Sequence, residues 1–245
     1  MKLSATSLRR GLLATAFALV TCIAVSAAES FEGRVHMDVT TKKKEKMGLD
    51  YSMKDGKLRM DMQVPGSQSH RGGGMGGMIF DMQAKEMIIL MDMNGRKMFM
   101  RRPIPQPTAE QTAQAHESGH KISAPEPTGR TEMIAGYKAT EYRMTSEKGE
   151  VIELWLAQGL GAFMPFGGGN PMAGGRGTPP AGWENFVRDG NTFPMRVVTH
   201  GKDGGETMRM EVTSVEKTSL DDSLFSTDGY SEFSFPGGMN PFGGH

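Results

Sequence analysis

The chain has 245 residues, with 28 basic and 28 acidic side chains, 22 methionines, 33 glycines and one cysteine. This even balance of charge gives no electrostatic footprint for nucleic acid, and a lone cysteine excludes a fold held by intramolecular disulfides. The length suffices for one domain with a substantial core, and the methionines predict that flexible thioether side chains fill much of it.

The first 28 residues have the pattern of a secretory signal. Lys2, Arg9 and Arg10 form a basic front, residues 11–25 are mostly apolar, and residues 26–28 are small, as a signal peptidase requires. The apolar stretch is too short and too weakly apolar to favour a permanent membrane span. Cleavage would leave a net charge of about −3, and we expect the mature protein in the periplasm.

Cys22 offers an alternative location. Residues 19–22 resemble a bacterial lipobox, in which the cysteine becomes a lipidated N-terminus. Thr21 is bulkier than the residue usually found before such a cysteine, and apolar residues continue to Val25. Loss of Cys22 with the signal is therefore the main prediction, and a lipid anchor in the envelope through Cys22 is the alternative. Membrane anchoring is expected only in that second case.

Alternation of apolar and polar residues runs through most of the mature chain. Val35, Met37 and Val39 alternate with His36 and Asp38, and this period of two is typical of a strand with one buried face. Similar patterns predict eleven strands, centred near residues 35, 51, 61, 80, 89, 99, 133, 142, 154, 196 and 210.

The turn signals indicate how these strands are joined. Asp55-Gly56, Asn94-Gly95, Lys148-Gly149 and Asp203-Gly204 each lie between two strand-like segments. Such pairs supply the positive φ angles of tight hairpin turns. We therefore expect mainly sequential antiparallel hairpins.

Helices are too few to cover a large sheet. Only residues 180–189 and 219–225 suggest short helices, whereas residues 78–83, 86–93 and 150–157 are apolar on both faces and should be covered twice. A sheet with one apolar face and few helices must bend round on itself. The predicted fold is mostly β, a single curved antiparallel sheet that forms a half-barrel or open barrel with one or two short helices.

The domain organisation follows from composition. Residues 29–233 are predicted to form one β domain, which a proline-rich linker or insertion at 103–129 interrupts. Glycine-rich loops carrying methionine are expected at 72–77 and 161–182. Residues 234–245 are expected to be a flexible glycine-rich tail.

One motif has the pattern of a zinc peptidase. His116-Glu117-Ser118-Gly119-His120 matches H-E-x-x-H, which on a helix places two imidazoles and a general base together. It lies among prolines, contains Gly119, has no apolar face and has no evident third ligand. We interpret it as a chance match, and no catalytic residue, enzymatic activity or cofactor is predicted.

The methionine pairs raise the question of copper. Four Met-x-Met pairs put two thioethers on the same side of a strand, and thioethers are soft ligands that suit Cu(I). Core packing is the simpler interpretation, because three of the four pairs continue an apolar face. Weak exposed metal candidates are found in the first glycine loop and in the tail: His70, Met75, Met78, Met239 and His245.

The chain resembles an uncharacterised family of exported, methionine-rich bacterial domains. The resemblance covers roughly residues 31–233 and rests on six segments: Lys57–Met62, Gly74–Met82, Thr131–Lys138, Glu153–Gly161, Met208–Val212 and Asp222–Phe225. This family is similar in turn to the lipoprotein carriers LolA and LolB, which are half-barrels with an apolar cavity for acyl chains. The resemblance implies that fold, and it implies a carrier function only by analogy.

The leading functional hypothesis is a periplasmic or envelope binding module, or carrier, for an apolar ligand such as a lipid or a lipidated partner. Methionine suits such a wall because it repacks around ligands of different shape. The predicted ligand-binding residues are Met60, Met62, Met91, Trp155, Met208 and Met210 in the wall, with Phe163, Met164 and Phe166 in a lid. A Cu(I)-binding envelope protein and a structural or interaction protein of the envelope are the alternatives.

Overall fold

The computed structural model describes residues 31–63, 74–93, 95–104, 122–161, 163–164, 183, 187 and 192–233. The predicted signal at 1–28, the H-E-x-x-H motif, the tail at 234–245 with Met239 and His245, and the candidates His70 and Phe166 lie outside these ranges. Within the described ranges, no helix combines the length and the apolar character that a bilayer crossing requires.

All eleven predicted strands are present, and a short twelfth follows them. Their bounds are β1 (Gly33–Thr41), β2 (Lys46–Lys54), β3 (Lys57–Gln63), β4 (Gly74–Asp81), β5 (Glu86–Met93), β6 (Arg96–Pro103), β7 (Glu126–Ile134), β8 (Tyr137–Thr145), β9 (Val151–Ala157), β10 (Phe193–His200), β11 (Glu206–Lys217) and β12 (Ser231–Glu232).

These strands form one open sheet in the order β12-β6-β5-β4-β3-β2-β1-β11-β10-β9-β8-β7. Two antiparallel meanders, β1 to β6 and β7 to β11, are joined where β1 pairs with β11 from Gly33↔Lys217 to Thr41↔Met208. Among the described strands, only β12 pairs in parallel, with β6. The sheet does not close, since β7 and β12 lie at its two edges. The predicted half-barrel of antiparallel strands is thereby confirmed.

The tight turns have the backbone geometry that their sequences require. Asp55 and Gly56 have φ angles of 48° and 75°, which match the twist of the strands that they join. A similar turn between β7 and β8, at Ala135 and Gly136 with φ angles of 47° and 85°, was not predicted. Alanine rarely adopts positive φ, so the residue pair carried no turn signal of the Asx-Gly kind.

The main core lies on one face of the sheet, called here the inner face. Side chains at alternate positions of β1 to β3, such as Val35, Met37, Tyr51 and Met60, are at most 1% exposed and belong to one apolar cluster. Leu154 of β9 joins the same cluster with none of its surface exposed. Because alternate residues of a strand share a face, the period of two in the sequence specified this core.

A second apolar cluster lies on the opposite, outer face, over β4 to β6. Ile79, Ile88, Leu90 and Phe99 pack there against residues of the C-terminal segment, which are Leu220, Leu224, Phe225 and Tyr230. This segment contains a 3-10 helix at Asp222–Phe225. Double coverage is thus confirmed for 78–80 and 88–91, whereas Met82 is 40% exposed, and a short helical segment within 219–225 is confirmed.

Polar contacts fasten the C-terminal segment to the sheet. The Lys54 ammonium donates to the Leu220 carbonyl at 2.7 Å and pairs with Asp222 at 2.7 Å. The Leu220 N–H donates to the Glu32 carboxylate at 2.7 Å, which lowers the pKa of that carboxyl. Arg59 donates to the Leu224 carbonyl at 3.0 Å. The outer face of β4 to β6 is therefore covered by an anchored segment.

The predicted glycine loop at 72–77 is wrong for residues 74–77. β4 begins at Gly74, and Gly74 and Met75 pair with residues of β5. Gly77 has a φ angle of 148°, and an added Cβ would lie 2.5 Å from Asp61 Oδ1 and 3.1 Å from the Met60 carbonyl oxygen. Glycine at this position lets two strands approach closely, so its presence did not mark a loop.

The predicted linker at 103–129 is too long, because ordered structure extends into both of its ends. Pro103 closes β6 and Ile104 is buried, whereas Ile122 forms a bridge with Ser146 and β7 already begins at Glu126. Residues 105–121 lie outside the described ranges.

Candidate functional site

The predicted wall methionines all lie on the inner face. Met60, Met91 and Met210 are 1%, 3% and 6% exposed and belong to the main cluster. Met62 and Met208 are half-buried and pack against that cluster. The structure therefore brings these five side chains to one apolar surface.

One end of the inner face is lined by partly exposed methionines, which we call the thioether rim: Met47, Met62 and Met208. They come from the start of β2, the end of β3 and the start of β11. The strand register brings these ends together, since Leu49 pairs with Met62, Val39 with Met47, and Thr41 with Met208. Apolar surface is thus accessible to solvent at this end of the half-barrel.

The centre of the inner face is covered by residues from the connection between β9 and β10. This cap consists of Phe163, Met164, Trp183 and Val187, and three of these side chains are at most 5% exposed. The Phe163 ring lies between the Tyr51 and Trp183 rings, with centroid distances of 5.7 Å and 5.8 Å. The predicted lid residues Phe163 and Met164 therefore lie against Tyr51 of the inner face.

Tyr51 connects the sheet to the cap by a polar contact. Its hydroxyl donates a hydrogen bond to the Met164 carbonyl oxygen at 3.2 Å, and burial raises the pKa of the hydroxyl. Sequence reasoning placed Tyr51 on a strand but did not identify it as a site residue. The available signal was a hydroxyl at a position where the alternating pattern predicts an apolar, buried face. A buried hydroxyl needs a hydrogen-bond partner, so Tyr51 could have been identified as a residue with a specific contact.

Trp155 lies on the outer side of the sheet, unlike the other predicted wall residues. It pairs with Arg196 and Glu141, whereas its neighbour Leu154 pairs with the core residue Val197. The guanidinium carbons of Arg130 and Arg196 lie 5.6 Å and 5.5 Å from its ring centroid. Trp155 therefore forms a cation–π stack and does not face the thioether rim.

Carboxylates complete the stack around Trp155. Arg196 donates to Glu132 at 2.8 Å and to Glu211 at 2.7 Å, and Arg130 donates to the fully buried carboxylate of Glu141. These guanidinium hydrogen bonds lower the pKa of Glu132 and of Glu141. Every buried charge in the group thus has a partner, as a stable outer layer requires.

Acid is expected to destabilise the protein partly through Glu132 and Glu141. An unfolded glutamate titrates near about pH 4.3, and both folded pKa values lie lower. Their stabilising contribution is therefore complete above that pH and is lost as the pH falls through the folded values, because the unfolded chain takes up protons first.

Urea unfolding over a series from about pH 7 to about pH 3 measures this dependence. Glu141→Gln should show a shallower loss of stability in acid than the wild type. The control Glu126→Gln changes an exposed glutamate of the same hairpin. Equal acid dependence of the wild type and Glu141→Gln would contradict the assignment.

Two of the metal candidates, Met75 and Met78, belong to β4. Met78 is 4% exposed within β4 and faces Met60 across the strand pair, so the expectation of an exposed Met78 is wrong. It is buried because β4 extends through the segment that was expected to be a loop. In the part of the chain that the structure describes, no group of three or more His, Cys, Asp or Glu residues could hold a metal ion.

A polar groove of about 410 Å³ lies on the outer face of β11, β1, β2 and β3. The His36 imidazole Nδ1 lies 2.5 Å from Asp50 Oδ1, and Arg59 donates to Asp61 at 2.8 Å and 2.9 Å. Arg34 of the same groove is exposed. Since the charges of the groove are largely paired with one another, this surface gives no ligand chemistry of its own.

A family model covers most of the chain. The family model described as "Domain of unknown function (DUF4412)" matches residues 31–228. The chain belongs to this family. The match confirms the resemblance to an uncharacterised domain family, and the matched range includes every strand that contributes to the thioether rim. No curated protein matches the chain significantly.

Several solved structures are similar to this chain at low sequence identity. An uncharacterised conserved protein from Thermus thermophilus is 11% identical, with a TM-score of 0.42, over 82% of this chain and 91% of that one. The MucA/MucB complex of Pseudomonas aeruginosa gives 10% identity and a TM-score of 0.37, over 79% of this chain and 54% of that one. A putative outer membrane lipoprotein-sorting protein domain from Vibrio parahaemolyticus is 8% identical, with a TM-score of 0.28, over 80% of this chain and 88% of that one.

The geometry favours binding at the inner face of this DUF4412 domain. Thioether side chains line a curved surface, one end of that surface is accessible, and an aromatic cap covers its centre. Methionine adapts its shape to what it contacts, so this surface is not limited to a single shape of partner.

Proposed function

We propose that this protein is an exported binding module that takes up an apolar ligand, such as an acyl chain, at the inner face of its half-barrel. The proposal assigns no catalytic step. The observation that carries it is the thioether rim, where Met47, Met62 and Met208 leave apolar surface accessible next to a methionine-rich core.

The rim supports entry of a ligand at that end. Burial of apolar surface contributes a free energy of about 25 cal/mol per Å². Half-buried methionines leave part of this stabilisation unrealised. A ligand that covers them recovers this free energy. Since Met60 and Met210 lie directly behind the rim in the strand register, an entering chain would meet further thioethers.

The cap supports a closed state that can open. Phe163 and Trp183 hold the centre of the inner face by ring contacts, and the Tyr51 hydroxyl adds a hydrogen bond at 3.2 Å. Ring contacts with the cap can be exchanged for contacts with a ligand at little net cost, because both partners are apolar.

The location belongs to the same proposal. The basic front, the apolar stretch and the small residues at 26–28 support export to the periplasm, and lipidation at Cys22 would instead tether the domain in the envelope. In either case the domain would meet lipids or lipidated proteins, and these are the partners that we propose.

Binding of a fluorescent fatty acid, cis-parinaric acid, to the delipidated protein tests the proposal. We expect saturable binding with a dissociation constant in the micromolar range. Met62→Lys and Met208→Lys should each weaken it roughly tenfold or more, because an ammonium at the rim must be desolvated beside the ligand.

Met133→Lys is the matched control. Met133 is 63% exposed on the edge strand β7, so the same change there should leave the affinity unaltered. Absence of saturable binding by the wild type, or an equal loss in Met133→Lys, would refute binding at the inner face.

A further inference from the structure

The Trp183 indole is a buried polar group that meets no acceptor in the described part of the chain. The residue is 5% exposed, and its Nε1–H meets no hydrogen-bond acceptor among the residues that the structure describes. A buried indole N–H usually finds an acceptor, and each buried unsatisfied group in a folded protein needs an explanation. The apolar cap is thus less stable than an aromatic cap without this group would be.

The indole donor lies within the aromatic cluster of the inner face. The Trp183 ring stacks on Phe163 with an interplanar angle of 30°, and Phe163 in turn contacts Tyr51 and Phe193. The Tyr51 hydroxyl is a second donor of this cluster, and its bond to the Met164 carbonyl is long for an O–H···O contact. Of the two donors, one is therefore weakly held and the other is available to a ligand.

We propose that Trp183 Nε1–H donates to a carbonyl oxygen of the bound ligand, so that the ligand is an acylated molecule, either a carboxylic ester or a free carboxylate, rather than a pure hydrocarbon. This inference rests on the proposed function. The acyl chain lies along the methionines of the inner face, and its carbonyl lies at the aromatic cluster, beside the Tyr51 hydroxyl.

The chemistry selects an oxygen acceptor. A hydrocarbon offers the indole N–H no acceptor and gains nothing from Trp183 beyond packing. An ester or carboxylate oxygen pairs it, and a hydrogen bond in an apolar site contributes a net gain that corresponds to roughly tenfold in affinity. Trp183 is thus a specificity-determining residue for the acyl carbonyl.

Calorimetry with methyl laurate, lauric acid and pentadecane tests this assignment on the full delipidated chain. Trp183→Phe keeps the aromatic stack and removes the donor. It should therefore weaken the binding of methyl laurate or lauric acid roughly tenfold and leave the affinity for pentadecane unchanged. Because the change removes an unsatisfied group, the midpoint of thermal unfolding should not fall. Trp155→Phe, on the outer face, should leave all affinities unchanged.

Nuclear magnetic resonance of the indole group gives an independent readout. In the Trp155→Phe background Trp183 is the single remaining tryptophan of the chain, and its indole proton should shift downfield with methyl laurate or lauric acid but not with pentadecane. Whichever oxygen probe produces the shift identifies the source as ester or carboxylate.

The outcomes separate the two proposals. If pentadecane and methyl laurate bind but Trp183→Phe weakens both equally or neither, the carbonyl assignment fails and the apolar binding module stands. If none of the three probes binds, both the assignment and the proposed function are overturned.

Discussion

Replacing Phe193 by alanine is expected to lower the free energy of unfolding by about 3–5 kcal/mol. Phe193 has no exposed surface, and its ring meets Phe163 at 5.4 Å and Tyr51 at 6.4 Å in edge-to-face contacts. The substitution would remove a large side chain between the sheet and the cap, at a position that strand pairing with Ala157 of β9 holds in place.

Equilibrium unfolding in urea, followed by circular dichroism, measures this loss. Met133→Ala is the control, since Met133 is 63% exposed and truncation of an exposed side chain changes stability by less than about 0.5 kcal/mol. A loss below about 1 kcal/mol for Phe193→Ala would mean that the cap and β10 are not packed as described.

The strands could be predicted because their signal is local. Alternation in β1, in β3 and at the start of β11 places Val35, Met60 and Met210 on one face whatever the rest of the chain does. The half-barrel then follows from a shortage of helices that could cover that face. Both expectations depend on residue type and spacing, which the sequence contains directly.

Trp155 shows where the local signal ends. β9 is apolar at most positions, with the exposure of Ile152, Leu154, Trp155 and Leu156 all at 6% or less, so alternation could not decide which of them faces inward. The face depends on the register with β8 and β10, and a bulge between Pro194 and Arg196 shifts that register. Pairing between distant segments therefore determines the face on which Trp155 lies. Composition alone assigned it wrongly to the inner face.

The cap was foreseen in part for a similar reason. Phe163 and Met164 were expected in a lid because apolar residues in a glycine-rich segment need a surface to cover. Their position over Tyr51 and Phe193 could not be predicted, since no periodic pattern connects a loop to a strand far away in the sequence. The unsatisfied indole of Trp183 is likewise visible only once its described neighbours are known.

Gly33→Ala is expected to destabilise the protein by about 3 kcal/mol or more, through a clash combined with backbone strain. An added Cβ would lie 2.1 Å from the Glu216 carbonyl oxygen and 2.9 Å from the Phe31 ring, at a φ angle of 156°. The Glu216 oxygen belongs to the backbone of β11 and cannot rotate away. Relief would require β1 to move away from β11, which is the seam that joins the two meanders.

Gly159→Ala is the control that separates the two contributions to the loss of stability in Gly33→Ala, the steric clash and the backbone strain. Gly159 also has a positive φ angle, 86°, but an added Cβ there would meet no described atom within 4 Å, so only the backbone cost of about 1 kcal/mol should remain. Urea unfolding of both variants gives the comparison, and the difference between them is the contribution of the close approach at the seam. Equal stability of the two variants would show that β1 and β11 separate without cost at Gly33, which would contradict a single sheet whose two meanders are held together by this strand pair.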